Sequence, residues 1–181
     1  MSDEIVCVGP NGNDYGELVL SVNSSSFDQP LFDFSLDLQV EQLDPNGKLP
    51  TKSNEDDMGW DLYCIVDEDF VGDSYTLKAK SGHKFKTGIA MSVPKGYGEV
   101  VFDRSGMGSK YITKLAGVLD RSYTGEIQVI LYNLSDNDIT IRPGDRIAQF
   151  LILPVPQFKA RWVEKLEKTN RGANGFGSSG R

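Results

Sequence analysis

A carboxylate, Asp120, and an aromatic ring, Tyr123, stand three residues apart in the segment Gly117-Val118-Leu119-Asp120-Arg121-Ser122-Tyr123-Thr124-Gly125-Glu126. A carboxylate on a rigid arm can take a proton from water as a general base. A ring beside it can form a wall for a flat base or a sugar. The same pair also fits a plain surface turn with a solvated Asp and a packing Tyr. Apolar residues on both sides, with Ile127, Val129 and Leu131 following, predict a β-hairpin with half-buried arms and this pair at its mouth.

A second chemical segment is Asp103-Arg104-Ser105-Gly106-Met107-Gly108-Ser109-Lys110, after the strand-like run Glu99 to Phe102. Ser105 as N-cap and Lys110 near the C-terminal end predict a short helix from Ser105 to about Tyr111. The Arg104 guanidinium, the Ser105 hydroxyl and the Gly106 N–H would make a phosphate seat there. It is not a Walker loop, and taken alone the segment is better read as a capped surface helix. In Arg142-Pro143-Gly144-Asp145-Arg146-Ile147-Ala148-Gln149, Arg146 and Gln149 could point to a ligand or pair with neighbours, and local grounds favour the neighbours. Asp61 lies inside the apolar strand Met58 to Tyr63, where a carboxylate needs an arginine or backbone partner. His83 has no partner cluster in sequence and reads as a surface residue.

The elements that must position these groups are short strands. Leu36, Leu38 and Val40 alternate with polar residues, as do Tyr75 with Leu77 and Ile139 with Ile141. Asp44-Pro45-Asn46-Gly47, Val93-Pro94-Lys95-Gly96 and Arg142-Pro143-Gly144-Asp145 are turns, since Pro fixes φ and Gly supplies positive φ. Leu151 to Val155 is a nearly unbroken apolar run, suited to a strand buried on both faces or to a subunit contact. No helical stripe of about ten residues occurs, so an all-β barrel or sandwich is expected. Residues 1–35 read as an N-terminal extension, with Ile5 to Val8 and Leu18 to Val22 able to pair and Ser24-Ser25-Ser26 as a linker. The end of the chain, Arg171 to Arg181, holds four glycines in eleven residues. It reads as a mobile tail whose aromatic, arginines and hydroxyls suit a lid.

At 181 residues the chain is one domain with a full core, and its 39% hydrophobic and 25% charged residues are ordinary for a globular protein. A net charge of −7 and a pI near 4.7 argue against a nucleic-acid backbone as partner. They still allow a small polyanion in an arginine-lined cleft. No run approaches a membrane span, and Met1-Ser2-Asp3-Glu4 is acidic where a signal peptide is basic. Cys7 and Cys64 are too few for a disulfide framework, and with one histidine they make a zinc site improbable. A reduced, cytoplasmic protein is the simplest expectation.

Five segments, in this order, resemble the trimeric deoxyuridine triphosphatase (dUTPase) family from about Leu36 to Arg181. They are Met58 to Leu62, Asp103 to Lys110, Leu115 to Gln128, Arg142 to Gln149 and Arg171 to Gly180. The resemblance implies a jelly-roll-like distorted β-barrel over residues 36–166, a mobile lid over 167–181, and a homotrimer whose sites draw on all three subunits. It implies that Asp120 activates the water that attacks the α-phosphate of dUTP, giving dUMP and pyrophosphate. Tyr123 would pack under the deoxyribose and exclude a 2′-hydroxyl. The backbone of Gly117, Val118 and Leu119, with Gln128, would read uracil. Arg104, Ser105, Gly106 and Gln149 would hold phosphates, as would Arg171, Gly177 and Ser178 of the tail. Phe176 would stack on the base, and Asp61 would support the site. Mg²⁺ would ride on the phosphates, mostly hydrated, with no protein ligand cage.

The sequence departs from the family pattern at Asp103, which replaces a Pro and puts a negative charge beside the phosphate seat, and at Lys114 and Asn174. A dCTP deaminase shares the expected fold, but it needs a glutamate where Ile130 stands. A nucleotide-gated regulatory binder is the alternative of a different class, with the N-terminal extension as the place for a protein partner.

Overall fold

The computed structural model describes residues 36–173. The expected N-terminal pairing and linker, and Asn174, Phe176, Gly177 and Ser178 of the tail, lie outside the described residues. In chain order the elements are β1 (Gln39–Gln42), β2 (Trp60–Tyr63), β3 (Tyr75–Leu77), β4 (Gly82–Lys86), β5 (Ile89–Ser92) and β6 (Tyr97–Phe102). There follow α1 (Ser105–Gly108), β7 (Ile112–Leu115), β8 (Val118–Leu119), β9 (Gln128–Asn133), β10 (Ile139–Ile141) and β11 (Arg146–Pro154). The alternations read around Val40, Leu77 and Ile141 therefore become β1, β3 and β10, as expected of an all-β chain.

Two sheets carry the architecture, one ordered β2-β11-β6-β8 and the other β4-β9-β7; β1 pairs with β5 and β10 with β3. All pairings are antiparallel. Along β9 the burial alternates strictly, with Val129, Leu131 and Asn133 inward, which is the period-2 signature of a strand with one face on the core. Leu62, Leu77, Phe85, Ile112, Ile127, Ile141, Ile147 and Phe150 close that core. Asn133 is fully buried but satisfied. Its Nδ2 donates to the carbonyls of Leu77 and Asn137, and its Oδ1 accepts the Ser135 N–H.

Three sequence expectations are corrected. The segment around Asp120 is not a hairpin. β8 pairs with β6, through Glu99↔Leu119 and Val100↔Val118, whereas β9 pairs with β4 and β7. The cause is backbone geometry at Ala116 (φ 60°) and Gly117 (φ 116°). Two successive positive-φ residues turn the chain off β7 and send it to the other sheet. The helix is shorter than expected, ending at Gly108. Ser105 is its first residue rather than its cap, since Arg104 holds the extended cap position, with no side-chain bond capping the helix. In the run after Gln149, Leu151 and Ile152 are half-buried and Leu153 and Val155 exposed, which removes burial on both faces within one chain and leaves the other expectation, a subunit contact.

Candidate active site

Asp61 organises the first half of the site. Its carboxylate accepts the Arg104 Nε–H at 2.5 Å on Oδ1 and the Arg146 Nη1–H at 3.1 Å on Oδ2. A second donor from Arg104, Nη2, reaches Oδ2 at 3.4 Å. This confirms the expected arginine partner and answers why a carboxylate is tolerated in the apolar strand β2. A register shift in β11 between Arg146 and Ala148 turns both Ile147 and Ala148 inward and leaves Arg146 free to swing over Asp61.

Asp61 and Arg104 line a cleft of about 300 Å³ together with Ser53, Asp57, Met58, Gly59 and Gln149. Gln149 packs over Gly59, where an added Cβ would fall 2.2 Å from its Oε1, and its Nε2 donates to the Asp103 carbonyl at 2.8 Å. Arg146 and Gln149 thus pair with neighbours, as expected. The Ser105 and Gly106 side of α1 is exposed, and N–H groups in a first helical turn have no intrahelical acceptor. Asp103 does not load this cleft with negative charge. Its oxygens accept the Lys114 N–H at 2.6 Å and the Thr113 hydroxyl at 2.9 Å, so the carboxylate is directed at β7.

The second half is the loop from Asp120 to Ile127. Asp120 is exposed at the end of β8, and its carboxylate has no hydrogen-bond or ion-pair partner among the described residues. The loop beneath it is fixed. The Tyr123 N–H donates to the Asp120 carbonyl at 2.8 Å and the Tyr123 hydroxyl to the Glu126 carbonyl at 2.9 Å. Further along, Glu126 accepts the Gly88 N–H on Oε1 and the Gln128 Nε2–H on Oε2. The Ile127 N–H and carbonyl are taken by Ile89 and the Thr87 hydroxyl. On the other side of Asp120, the Gly117 carbonyl accepts the Val101 N–H at 2.7 Å, and Val118 is 76% exposed.

Within one chain the structure does not bring these halves together. β8 ends at Leu119, opposite Glu99 in the first half of β6, and Asp120 follows it. Arg104 follows the far end of β6. Counting one residue on from Leu119, roughly six residues of extended chain, about 20 Å, lie between Asp120 and Arg104. Arg171 sits in a turn closed by the Gly172 N–H on the Thr169 carbonyl. The sequence reading missed Ser53 and Asp57 as cleft residues, because they sit in a loop with no motif to mark them. It also misplaced His83, whose side chain is 12% exposed, stacked on Tyr75 and set between Asp67 and Asp69.

Comparison with known proteins decides the family. The family model described as dUTPase matches residues 45–180. The chain belongs to the dUTPase family. It is 40% identical over 143 residues to the probable deoxyuridine 5′-triphosphate nucleotidohydrolase of Schizosaccharomyces pombe, covering 78% of this chain and 96% of that one. To the Helicobacter pylori (strain P12) deoxyuridine 5′-triphosphate nucleotidohydrolase it is 35% identical over 148 residues, 79% and 96% of the two chains. Among solved structures, Staphylococcus bacteriophage 80alpha dUTPase with dUpNHpp aligns at a TM-score of 0.70 and 28% identity, over 80% of this chain and 99% of that one. The fold is accordingly the jelly-roll-like distorted β-barrel expected of dUTPases, with one short helix.

Proposed function

We propose that this dUTPase-family chain hydrolyses dUTP to dUMP and pyrophosphate, with Asp120 accepting the proton of the water that attacks the α-phosphate. The observation that carries this reading is the exposed Asp120 carboxylate, without a partner among the described residues, on a loop whose backbone is bonded on both sides. A base held in that way needs little reorganisation to engage a water, and such catalysis contributes about 10²–10⁴-fold. Tyr123, pinned through its hydroxyl, would pack under the deoxyribose. The peptide groups of Gly117, Val118 and Leu119, with Gln128, would read uracil. Phosphate charge would fall to Arg104, Ser105, Gly106 and Gln149, and to Arg171, Gly177 and Ser178 of the tail, with Phe176 stacking on the base. Asp61 would hold the Arg104 fork in the direction the phosphates require.

The separation of Asp120 from Arg104 favours a site shared between subunits, and we read the assembly as a homotrimer. Exposed apolar side chains at Val118, Phe158, Trp162 and Leu166 support an oligomer, since single chains rarely leave so much apolar surface to water. Mg²⁺ fits as an ion carried by the substrate. The two carboxylates of the cleft are already engaged, Asp57 by Asn54 and Asp61 by the arginines, so phosphate oxygens and water are the ligands the site leaves. When bound, the ion neutralises phosphate charge. The free, buried Cys64 suits a reducing, cytoplasmic setting.

The test is pyrophosphate release from dUTP, dCTP, dTTP and UTP in the presence of Mg²⁺. Release from dUTP alone supports the assignment and the roles of the loop and Tyr123. Binding of dUTP without release from any nucleotide moves the reading to a nucleotide-gated regulator, with residues 1–35 as the segment to test for a protein partner.

A further inference from the structure

Asp67, Asp69 and His83 form a cluster away from the cleft just described, where the connection from β2 to β3 passes β4. The His83 ring stacks on Tyr75 at 4.0 Å between centroids and meets Phe85 edge-on at 4.6 Å, so its direction is set by packing. Its Nε2 is buried and has no hydrogen-bond partner, which is rare for a polar atom in a folded core. That atom faces Asp67 Oδ2 at 3.8 Å and Asp69 Oδ2 at 3.9 Å, too far for a hydrogen bond to either. The Asp67 side chain is only 3% exposed, and its other oxygen is occupied by the Asp69 N–H at 3.0 Å. One imidazole nitrogen and two carboxylate oxygens therefore converge within 4.8 Å of one another, with neither carboxylate bonded to the ring.

These separations are those of groups arranged around a common centre. Zn–N and Zn–O bonds of about 2.0–2.2 Å place tetrahedral donors roughly 3.3–3.5 Å apart. The donors stand somewhat wider than this, at 3.8 and 3.9 Å from His83 Nε2 and all within 4.8 Å of one another, and Asp69, 61% exposed, has the freedom to draw in around an ion. We propose that Asp67, Asp69 and His83 form a binding site for a first-row divalent transition-metal ion such as Zn²⁺, which fastens the β2–β3 connection to β4. An imidazole with two carboxylates suits Zn²⁺ and its neighbours better than Mg²⁺ or Ca²⁺, which prefer oxygen alone. Water completes the coordination on the Asp69 side. The site needs no cysteine, so the scarcity of thiols that argued against zinc in the sequence does not bear on it.

The test is a Zn²⁺ titration of the nucleotide-free full chain by calorimetry, repeated on His83→Gln and Asp69→Asn, with metal-free melting curves and dUTP turnover as checks on folding. Each variant is expected to bind one Zn²⁺ fewer per chain, or to bind it at least about tenfold more weakly. The wild type alone should gain melting temperature from the ion. Asp69→Asn alters a surface side chain, so it decides the matter even if His83→Gln folds poorly. An unchanged Zn²⁺ isotherm in Asp69→Asn, or no binding to the wild type, overturns the proposal. A wild-type response to Mg²⁺ equal to that for Zn²⁺ overturns the assignment of the ion's class.

Discussion

Asp120 and Arg104 stand toward opposite ends of one strand, β6, with Asp120 following Leu119, which pairs with Glu99, and Arg104 carried past Phe102. A separation of about 20 Å is several times the span of a triphosphate contact. If both residues serve one substrate, they do so from different chains.

Subunit mixing tests this directly. Asp120→Asn and Arg104→Ala should each abolish most turnover alone, with Asp120→Asn retaining nucleotide binding. Co-refolded in equal amounts, they should recover activity in roughly a quarter of the sites, because random mixing pairs an intact Asp120 with an intact Arg104 that often. No recovery in a mixture shown to contain mixed oligomers would place both residues in one chain's site.

Removing the Asp61 carboxylate leaves two guanidinium groups facing each other. Asp61→Ala should cost about 2–3 kcal/mol, less than for a fully buried pair because Arg146 is nearly half exposed. The shift appears as a lower urea midpoint at constant slope. Turnover should fall further than stability alone explains, since the Arg104 fork loses its Asp61 partner.

Gly117→Ala probes the turn into β8. An added Cβ would lie 2.8 Å from the Val101 carbonyl oxygen, and φ of 116° is a conformation that side chains disfavour. The expected cost is of order 1–3 kcal/mol by thermal melting. Turnover should drop as well, because the strain enters three residues before Asp120.

Glu99 gives a pH signature. It is buried on the core face of β6 opposite Leu119, and burial holds its carboxyl above the ordinary range. Below the unfolded pKa both states keep the proton. As pH rises from there through the raised folded value, the unfolded chain releases its proton first and stability declines. Glu99→Gln should therefore melt higher than the wild type at neutral pH, with the gap closing near about pH 4. A gap that does not vary with pH would assign the effect to packing.

Local pattern made the strands around Val40, Leu77 and Ile141 legible, because alternation and Pro-Gly turns are properties of neighbouring residues. The arginine partner of Asp61 was legible for a different reason: a carboxylate in an apolar strand admits few solutions. The partner of β8 was not legible. Val118 and Leu119 are apolar whether they pair with β9 or β6, and the choice lies in the positive φ of Ala116, a residue with no special claim to it. His83 was misread for a similar reason, since Asp67, Asp69 and Tyr75 lie away from it in sequence and meet it only in the fold.

The loop carrying Asp120 is stitched to one sheet at Val118–Leu119 and to the other at Gln128, with Glu126 and Ile127 bonded to the β4–β5 turn. A loop tied at both ends in this way would pass a small shear of one sheet over the other to the span on which the carboxylate rides, while each sheet kept its own hydrogen bonds. If Asp120 is the base, core substitutions far from any nucleotide, at Phe85 or Phe150 for instance, should change turnover, because the rigidity of the packed interior would then set how steadily the carboxylate is aimed.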